Sequence, residues 1–343
     1  MALEGVPGVE VVGAAANGRL ALARIETLRP DLVTLDIEMP EMNGIEVLEA
    51  MRSAGLHACV IVLSAHTVKG GELTMRALEL GAFDFLTKPE CGGPGENIAA
   101  LRSQLLPMIR AFERRREIRN LLITTPREPV LSPSVRRTEN RPARRLSASG
   151  PPMVLIGVST GGPAALSRLL PALPANLGAP VFIVQHMPAL FTQPLAASLA
   201  AKSAIRVKEA QDGEIAQPNC AYIAPGGRQM KLLRGARGEA IVRITDDPPE
   251  NNCRPAVDYL FRSVALQFPG RAVAAILTGM GNDGTTGLKM LTRGGCQSIA
   301  QDEASCVVFG MPREAIAAGV VDSVVPLDLI AGTIARSVRE VAA

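Results

Sequence analysis

Three residues that could together catalyse acyl transfer occur where buried β-strands are predicted to end. Ser159, His186 and Asp283 each follow a short apolar run of strand-forming residues. A serine hydroxyl becomes a strong nucleophile when a histidine takes its proton, and a carboxylate orients that histidine. Because ligands bind at the carboxyl edge of an open α/β sheet, the three side chains are predicted to form one nucleophilic site.

The turn around Ser159 contains several glycines and precedes a predicted helix. Residues 157–162 read GVSTGG, so the backbone can turn sharply and the unpaired amides of the helix start face the serine. Such a turn also suits a phosphate or a dinucleotide, and the local pattern alone does not separate the two. The downstream sequence disfavours a nucleotide, because no acidic residue lies between Ser159 and Glu209 and no Walker lysine follows.

The histidine is better defined by the sequence than the acid. Of the three histidines in the chain, only His186 lies in the half that contains Ser159. Asp283 belongs to an Asn-Asp-Gly sequence that would also form an ordinary turn. Four other acidic residues of this half stay open as alternatives: Asp246, Asp247, Asp258 and Asp302. The order Ser, His, Asp differs from that of α/β-hydrolases and indicates another family.

Longer motifs cover the C-terminal half from about residue 151 onward. They are IGVSTGG at 156–162, QHMP at 185–188, AYIAPG at 221–226, RP at 254–255 followed by Asp258, LTGMGNDG at 277–284 and ASCVVFGMP at 304–312. With these motifs in this order, the chain resembles the chemotaxis protein-glutamate methylesterases, the CheB family. The resemblance implies a doubly wound parallel-sheet domain that hydrolyses glutamate methyl esters on chemoreceptors and releases methanol.

The same resemblance assigns roles to individual residues. It makes Ser159 the nucleophile, His186 the general base and then the general acid, and Asp283 the residue that orients the imidazole. The backbone amides of Thr160 and Met280 would form the oxyanion hole. Glutamine deamidation is the second activity that the family implies, and the catalytic domain is expected to need no metal or cofactor.

The first third of the chain resembles a response-regulator receiver domain with a flavodoxin-like fold. Asp36 ends one predicted buried strand, Ser64 ends the next, and Lys88 precedes a proline after a third. In such domains Asp36 would accept a phosphoryl group from a histidine kinase, Ser64 would sense it, and Lys88 would pair with the phosphate.

One part of the receiver pattern is absent. Receivers begin with a strand that ends in paired acidic residues, which bind the Mg²⁺ needed for phosphorylation, and this sequence opens without that pair. The missing strand would be central in the sheet order 2-1-3-4-5. We therefore expect an incomplete receiver domain that lacks its first strand and its magnesium ligands.

Composition and charge predict two domains joined by a basic linker. The boundaries are placed at 1–112 for the receiver, 113–150 for an Arg/Pro-rich linker and 151–343 for the catalytic domain. Residues 113–145 contain ten Arg and four Glu, a net charge of +6 against +3 for the whole chain. Without tryptophan or a nucleic-acid-binding motif, the arginines do not indicate nucleic-acid binding.

Six dispersed cysteines, and no signal peptide or membrane-length apolar run, predict a protein of the cytoplasm that is not embedded in a membrane. Two other functions remain as alternatives. One is a signalling module that binds a receptor or kinase without catalysis. The other is a hydrolase of a different acylated substrate.

Overall fold

The computed structural model describes residues 2–89, 92–124, 136–137 and 150–342. Residue contacts divide the chain into two compact units, Met1–Asn120 and Leu121–Ala343. Both units alternate strands with helices around parallel sheets, which confirms the predicted α/β class. The domain boundaries at 112 and 150 stay predictions, and most of the predicted linker lies outside the described residues.

The first unit is a three-stranded parallel sheet in the order β1-β2-β3. Its elements are α1 (Gly18–Leu28), β1 (Leu32–Asp36), α2 (Gly44–Ser53), β2 (Cys59–Ser64), α3 (Val68–Glu79), β3 (Asp84–Thr87) and α4 (Pro94–Thr124). Residues 2–15 are described and contain no strand. The sheet therefore begins with the strand that ends in Asp36.

Local sequence signals explain where these helices begin. Asn43 caps α2 by accepting from the Glu46 amide, and the Glu46 carboxylate accepts from the Asn43 amide, so the two residues form a capping box. The core of the unit is apolar and lies between the sheet and α4. One cluster of this core comprises Ile61, Leu86, Leu105, Met108 and Ile109, and further buried apolar residues lie on β1, α2, β2 and α3. The helix α4 reaches Thr124 and so includes the first residues of the predicted linker.

The second unit is built on an eight-stranded sheet in the order β4-β13-β12-β11-β5-β6-β8-β7. Its strands are β4 (Arg136–Arg137), β5 (Met153–Val158), β6 (Val181–Gln185), β7 (Arg206–Glu209), β8 (Cys220–Ile223), β9 (Gln229–Arg234), β10 (Ala240–Thr245), β11 (Ala272–Ile276), β12 (Gln297–Gln301) and β13 (Ser323–Val325). Only β4 runs antiparallel in this sheet, while β9 and β10 form a separate antiparallel hairpin.

In the described part of this unit, six α-helices cover the sheet. They are α5 (Gly162–Leu169), α6 (Ala189–Ala200), α7 (Val257–Gln267), α8 (Thr285–Arg293), α9 (Met311–Ala317) and α10 (Leu327–Ala342). From the sequence, residues 255–268 are predicted to form an amphipathic helix because their apolar residues recur at helical spacing, and α7 confirms this prediction. Within the part of the chain that is described, no helix combines the length and the apolarity needed to cross a membrane.

One strand predicted from the sequence has a different partner in the structure. The apolar run at 222–224 predicts a hairpin-like strand, as does the run at 240–245, but β8 lies in the large sheet, parallel to β6 and β7. All four residues of β8 are buried, as is typical of a parallel strand that is covered on both faces. The Tyr222 ring stacks on Phe182 with their centroids 5.5 Å apart, which fixes β8 beside β6.

Candidate active site

Three neighbouring strands at the centre of the large sheet bring the predicted catalytic residues to one edge. The order β11-β5-β6 places β5 between the other two, and all three strands are parallel. Ser159 directly follows β5, His186 directly follows β6, and Asp283 lies in the loop after β11. From β5 the chain passes to β6 on one side and later to β11 on the other, and such a reversal opens a crevice at the carboxyl edge.

The backbone around Ser159 is held by the loop after β11. The Ser159 amide donates to the Thr278 carbonyl at 3.0 Å, and the Gly162 amide donates to the Ser159 carbonyl at 2.8 Å. Gly161 has a φ of 74°, which is the left-handed conformation that glycine adopts without strain. At Gly279 a Cβ atom would lie 2.7 Å from the Ser159 Cβ, so only glycine allows this close approach.

His186 and Asp283 form a direct pair. The His186 Nε2 atom lies 2.8 Å from Asp283 Oδ2, and the side chains are 13% and 3% exposed. The acids that the sequence left open have other partners. Asp246 pairs with Arg228, Asp247 with Lys231 and Tyr259, Asp302 accepts from Ser305, and Asp258 accepts from the Gly287 amide. Among the acidic residues that the sequence leaves open, Asp283 is therefore the one that contacts His186.

The Asp283 carboxylate is saturated with donors besides His186. They are the amides of Val257 at 2.7 Å, Asp258 at 3.0 Å and Gly284 at 3.0 Å, and the side-chain amide of Asn251 at 3.0 Å. Two of these donors belong to the first turn of α7, where unpaired amides favour a negative charge. Asp283 is therefore fixed as an anion in a single orientation.

Burial and pairing shift the pKa values of both partners. Burial alone would raise the pKa of Asp283, but the hydrogen bond and charge of His186 and the α7 amides hold it below its ordinary value. Burial likewise opposes the charged imidazole, yet the bonds to Asp283 and Cys253 outweigh it and raise the pKa of His186 to about 9. The pair therefore favours an imidazolium beside a carboxylate.

The contacts of His186 also define which ring nitrogen is able to accept a proton. A carboxylate only accepts hydrogen bonds, so Nε2 carries the proton that is donated to Asp283. In the neutral ring the lone pair is therefore on Nδ1. That atom faces the Cys253 Sγ at a distance of 3.5 Å.

The hydroxyl of Ser159 has no partner within the described residues. In the described part of the chain this hydroxyl forms no hydrogen bond, so the structure does not join Ser159 to His186 as it joins His186 to Asp283. The amides of Thr160 and Met280 also donate to no group among the described residues. A hydroxyl and two unpaired amides thus follow strands that end at the same sheet edge as the strand preceding His186.

Three residues of the site were not identified from the sequence. Gln185 is buried, and its side-chain amide donates to the carbonyls of Ser159 at 3.0 Å and His186 at 3.1 Å. Asn251 bonds Asp283, and Cys253 contacts His186. Gln185 belongs to the QHMP motif, and its place beside His186 in that motif is a signal from which its role in the site could be predicted. The other two lie far from their partners in sequence, and no local pattern indicates their contacts.

One set of donor atoms is compact enough to surround a metal ion. His186, Cys253 and Asp283 each offer one atom, all within 4.8 Å of one another. However, His186 and Asp283 direct these atoms at each other, and both Asp283 oxygens already accept hydrogen bonds. The three side chains are therefore arranged as a hydrogen-bond network.

The predicted receiver residues lie at the carboxyl edge of the smaller sheet. The Lys88 Nζ atom lies 2.6 Å from Asp36 Oδ2, with the side chains 37% and 32% exposed. The Ser64 hydroxyl is buried and points elsewhere, donating to the Gly70 carbonyl of α3 and accepting from Thr74. Asp36 and Lys88 are thus together, while Ser64 is turned towards α3.

A magnesium ion at this position would need several oxygen ligands from the protein. Among the described residues, Asp36 belongs to no cluster of three metal-binding side chains, and its Oδ2 is engaged by Lys88. The residues present therefore do not form a magnesium site around Asp36.

Both units of the chain match known protein families. Family profiles match the CheB methylesterase at residues 154–334 and the response regulator receiver domain at residues 2–96. The protein-glutamate methylesterase/protein-glutamine glutaminase of Desulfotalea psychrophila is 50% identical over 98% of this chain and 93% of its own. Its counterpart in Bacillus subtilis is 42% identical over 97% and 92%.

A solved structure resembles the second unit. The Thermotoga maritima CheB methylesterase catalytic domain is 41% identical, has a TM-score of 0.53, and covers 55% of this chain and 99% of its own. The family profiles, the relatives matched along nearly the whole chain and this structure agree. The chain belongs to the CheB methylesterase family, with a receiver domain preceding the methylesterase domain.

Proposed function

We propose that this chain is a protein-glutamate methylesterase that hydrolyses glutamate methyl esters on chemoreceptors by a Ser159, His186 and Asp283 triad. The observation that carries the proposal is the fixed pair of His186 and Asp283, together with Ser159 at the end of the neighbouring strand β5, whose hydroxyl has no hydrogen-bond partner among the described residues. The names of the two relatives support the substrate.

The first half of the reaction forms an acyl-enzyme. The Ser159 oxygen attacks the ester carbonyl carbon while Nδ1 of His186 takes the hydroxyl proton, and Asp283 stabilises the resulting imidazolium. When the tetrahedral intermediate collapses, the bond to the methoxy oxygen breaks. His186 gives its proton to that oxygen, and methanol leaves.

The second half repeats these steps with water as the nucleophile. His186 takes a proton from water, the hydroxide attacks the acyl carbon, and the proton returns to Ser159 as free glutamate is released. The amides of Thr160 and Met280 stabilise the oxyanion in both halves, and donors of this kind typically lower a barrier by about 3 to 4 kcal/mol. Deamidation of glutamine would use the same steps with ammonia as the leaving group, and none of them requires a metal.

The decisive experiment measures methanol release from methylated chemoreceptors in membranes. We expect the intact chain to release methanol and Ser159→Ala to lose at least about a hundredfold in rate, as triad losses do elsewhere. A suitable control is Ser198→Ala, on α6 away from the proposed triad. Retained activity in Ser159→Ala would exclude this nucleophile. Activity on small esters alone would indicate another acylated substrate, and no activity on either would favour a binding module.

The receiver unit is proposed to inhibit the esterase, with Asp36 as the phosphoryl acceptor for a chemotaxis histidine kinase. The proximity of Lys88 to Asp36 supports an anionic ligand there. Because the residues present do not form a magnesium site, we derive no phosphoryl-transfer step. The test compares methanol release by residues 147–343 with that by the whole chain. A faster rate in the shorter protein supports inhibition, and equal rates contradict it.

The remaining proposals concern the protein partners and the cellular compartment. Methylated receptors are the protein substrates, and a function in the cytoplasm would bring the enzyme to their signalling helices. Fractionation of cells followed by crosslinking to receptors would test both proposals. Recovery outside the cytoplasmic fraction, or no receptor crosslink, would contradict them.

A further inference from the structure

The segment before α7 contacts both members of the histidine and aspartate pair. Glu250 and Cys253 close a tight turn, in which the Glu250 amide donates to the Cys253 carbonyl at 3.1 Å and the Cys253 amide donates back at 2.7 Å. Asn251 lies within this turn and donates to Asp283 Oδ1 at 3.0 Å. The same turn that orients the carboxylate therefore brings the Cys253 thiol to the imidazole.

The thiol faces the one nitrogen that the proposed mechanism needs. Because Nε2 donates to Asp283, the neutral ring accepts a proton at Nδ1. Cys253 Sγ lies 3.5 Å from Nδ1 and 3.4 Å from the Asn251 carbonyl oxygen. The thiol has one proton, which it donates to the Asn251 carbonyl, so its sulfur can accept a hydrogen bond from the Nδ1–H of the imidazolium. While Nδ1 keeps this proton, it has no lone pair to accept the proton of Ser159.

We propose that Cys253 is a positioning residue of the esterase, whose thiol holds Nδ1 of His186 in the resting enzyme and must be displaced by Ser159 before hydrolysis. The inference rests on the proposed function and adds a residue to it. The free Ser159 hydroxyl is the counterpart of this contact, since among the described residues His186 is bonded to Asp283 and Cys253 and not to Ser159.

The groups around the ring define what removal of the thiol should do. The titratable side chains nearby are Asp283 in the loop after β11, Cys253 before α7, and Asp258 on α7, which Asn251 links to Asp283. Asp283 and Cys253 both raise the pKa of His186. Without the thiol, Nδ1 should lose its proton at lower pH and be open to Ser159.

The test uses the full chain with Cys253→Ala and, as a matched control, Cys59→Ala. Both cysteines are half-buried, but Cys59 lies in the receiver sheet. We expect methanol release by Cys253→Ala to be at least about threefold faster than wild type at pH 7. The two rates should converge near pH 10, where His186 is neutral in both proteins. Cys59→Ala should follow the wild-type profile.

A second measurement does not depend on activity. The chain has three histidines, so the imidazole nitrogens of His186 can be assigned by ¹⁵N NMR with His186→Gln as the reference. We expect the His186 titration to move to lower pH in Cys253→Ala and to stay in place in Cys59→Ala.

The two measurements separate the possible failures. If wild type releases methanol but Cys253→Ala leaves both the pH profile and the His186 titration unchanged, or slows the reaction at every pH, the role of Cys253 is wrong. If the titration moves but neither protein releases methanol, the contact is real and the proposed esterase function is wrong. Equal melting temperatures of the two variants show that the change is not a folding defect.

Discussion

The two units each contain an aspartate beside a cationic side chain at the carboxyl edge of a parallel sheet, but the two sites differ in how fully that aspartate is engaged. Asp283 is 3% exposed and accepts from His186 and four other donors. Asp36 is 32% exposed and accepts from Lys88 and the Glu38 amide. Asp283 has no position left for a further ligand, whereas Asp36 remains open to one.

This difference indicates two kinds of chemistry. A carboxylate that orients a catalytic base must not move during the reaction, because electrostatic stabilisation depends on groups that are already in place. A carboxylate that is itself modified must be accessible and must give up its partners. We therefore predict different effects on activity and stability for the two aspartates, both when each is substituted and when the pH or the salt concentration is changed.

The largest expected effect separates Asp283 from Asp36 directly. Asp283→Asn should lower the rate of methanol release by at least about a hundredfold, because an amide neither stabilises the imidazolium nor selects the correct tautomer. Asp36→Asn should stay within about twofold in the absence of a phosphodonor. The exposed Asp246, paired with Arg228, provides a control in the same unit as Asp283. Similar losses in Asp283→Asn and Asp246→Asn would contradict this account.

The next effect is on the pH dependence of catalysis. His186 must be neutral to accept a proton, and its pKa is raised to about 9 by Asp283 and Cys253 against the effect of burial. The rate should therefore rise about tenfold per pH unit below pH 9 and level off above it. Asp283→Asn should move this rise to lower pH, while Asp36→Asn should leave it in place. A flat profile between pH 7 and 9 would show that another group limits the rate.

A smaller effect is expected at Gln185, which links the two strand ends of the active site. Gln185→Leu removes hydrogen bonds to the carbonyls of Ser159 and His186, so kcat should fall by about tenfold with a smaller change in KM. Gln297→Leu is the matched control, because Gln297 lies at the start of β12 and its side chain bonds Glu340 on α10. If the two variants lose the same activity, Gln185 does not position the site.

Much of the difference between the two sites can be predicted from the sequence, but not all of it. Apolar runs predict the strands and place Ser159, His186 and Asp36 at their ends, because a buried parallel strand requires such a run. The same reasoning leaves the acid open, since the pairing of His186 with Asp283 depends on which strands become neighbours. The order β11-β5-β6 is a tertiary property that local periodicity does not encode.

The unpredicted parts share one physical cause, which is that they depend on side-chain contacts that the pattern of apolar residues does not encode. Cys253 reaches His186 across 67 residues of sequence. The Ser64 hydroxyl turns to α3 because Thr74 and the Gly70 carbonyl offer buried partners there. A short apolar run is compatible with a hairpin strand and with a parallel strand alike, so the sequence around Tyr222 does not predict the pairing of β8 with β6 or the stacking of Tyr222 on Phe182.

The smallest expected effect concerns the stability contributed by the Asp36 and Lys88 pair. Both side chains are about one-third exposed, so solvent and salt screen their attraction even at a distance of 2.6 Å. A double-mutant cycle with Asp36→Asn and Lys88→Met, followed by urea unfolding of the receiver unit, should give a coupling free energy below about 1 kcal/mol.

The salt dependence of that coupling separates an adaptable pair from a fixed one. In 1 M salt the screening length falls to about 3 Å, so the coupling should nearly vanish if the pair is held by exposed charges. A coupling above about 2 kcal/mol that resists salt would mean that Asp36 is as firmly held as Asp283. An incoming phosphoryl group would then have to break a strong pair, and the proposed acceptor role of Asp36 would lose its physical basis.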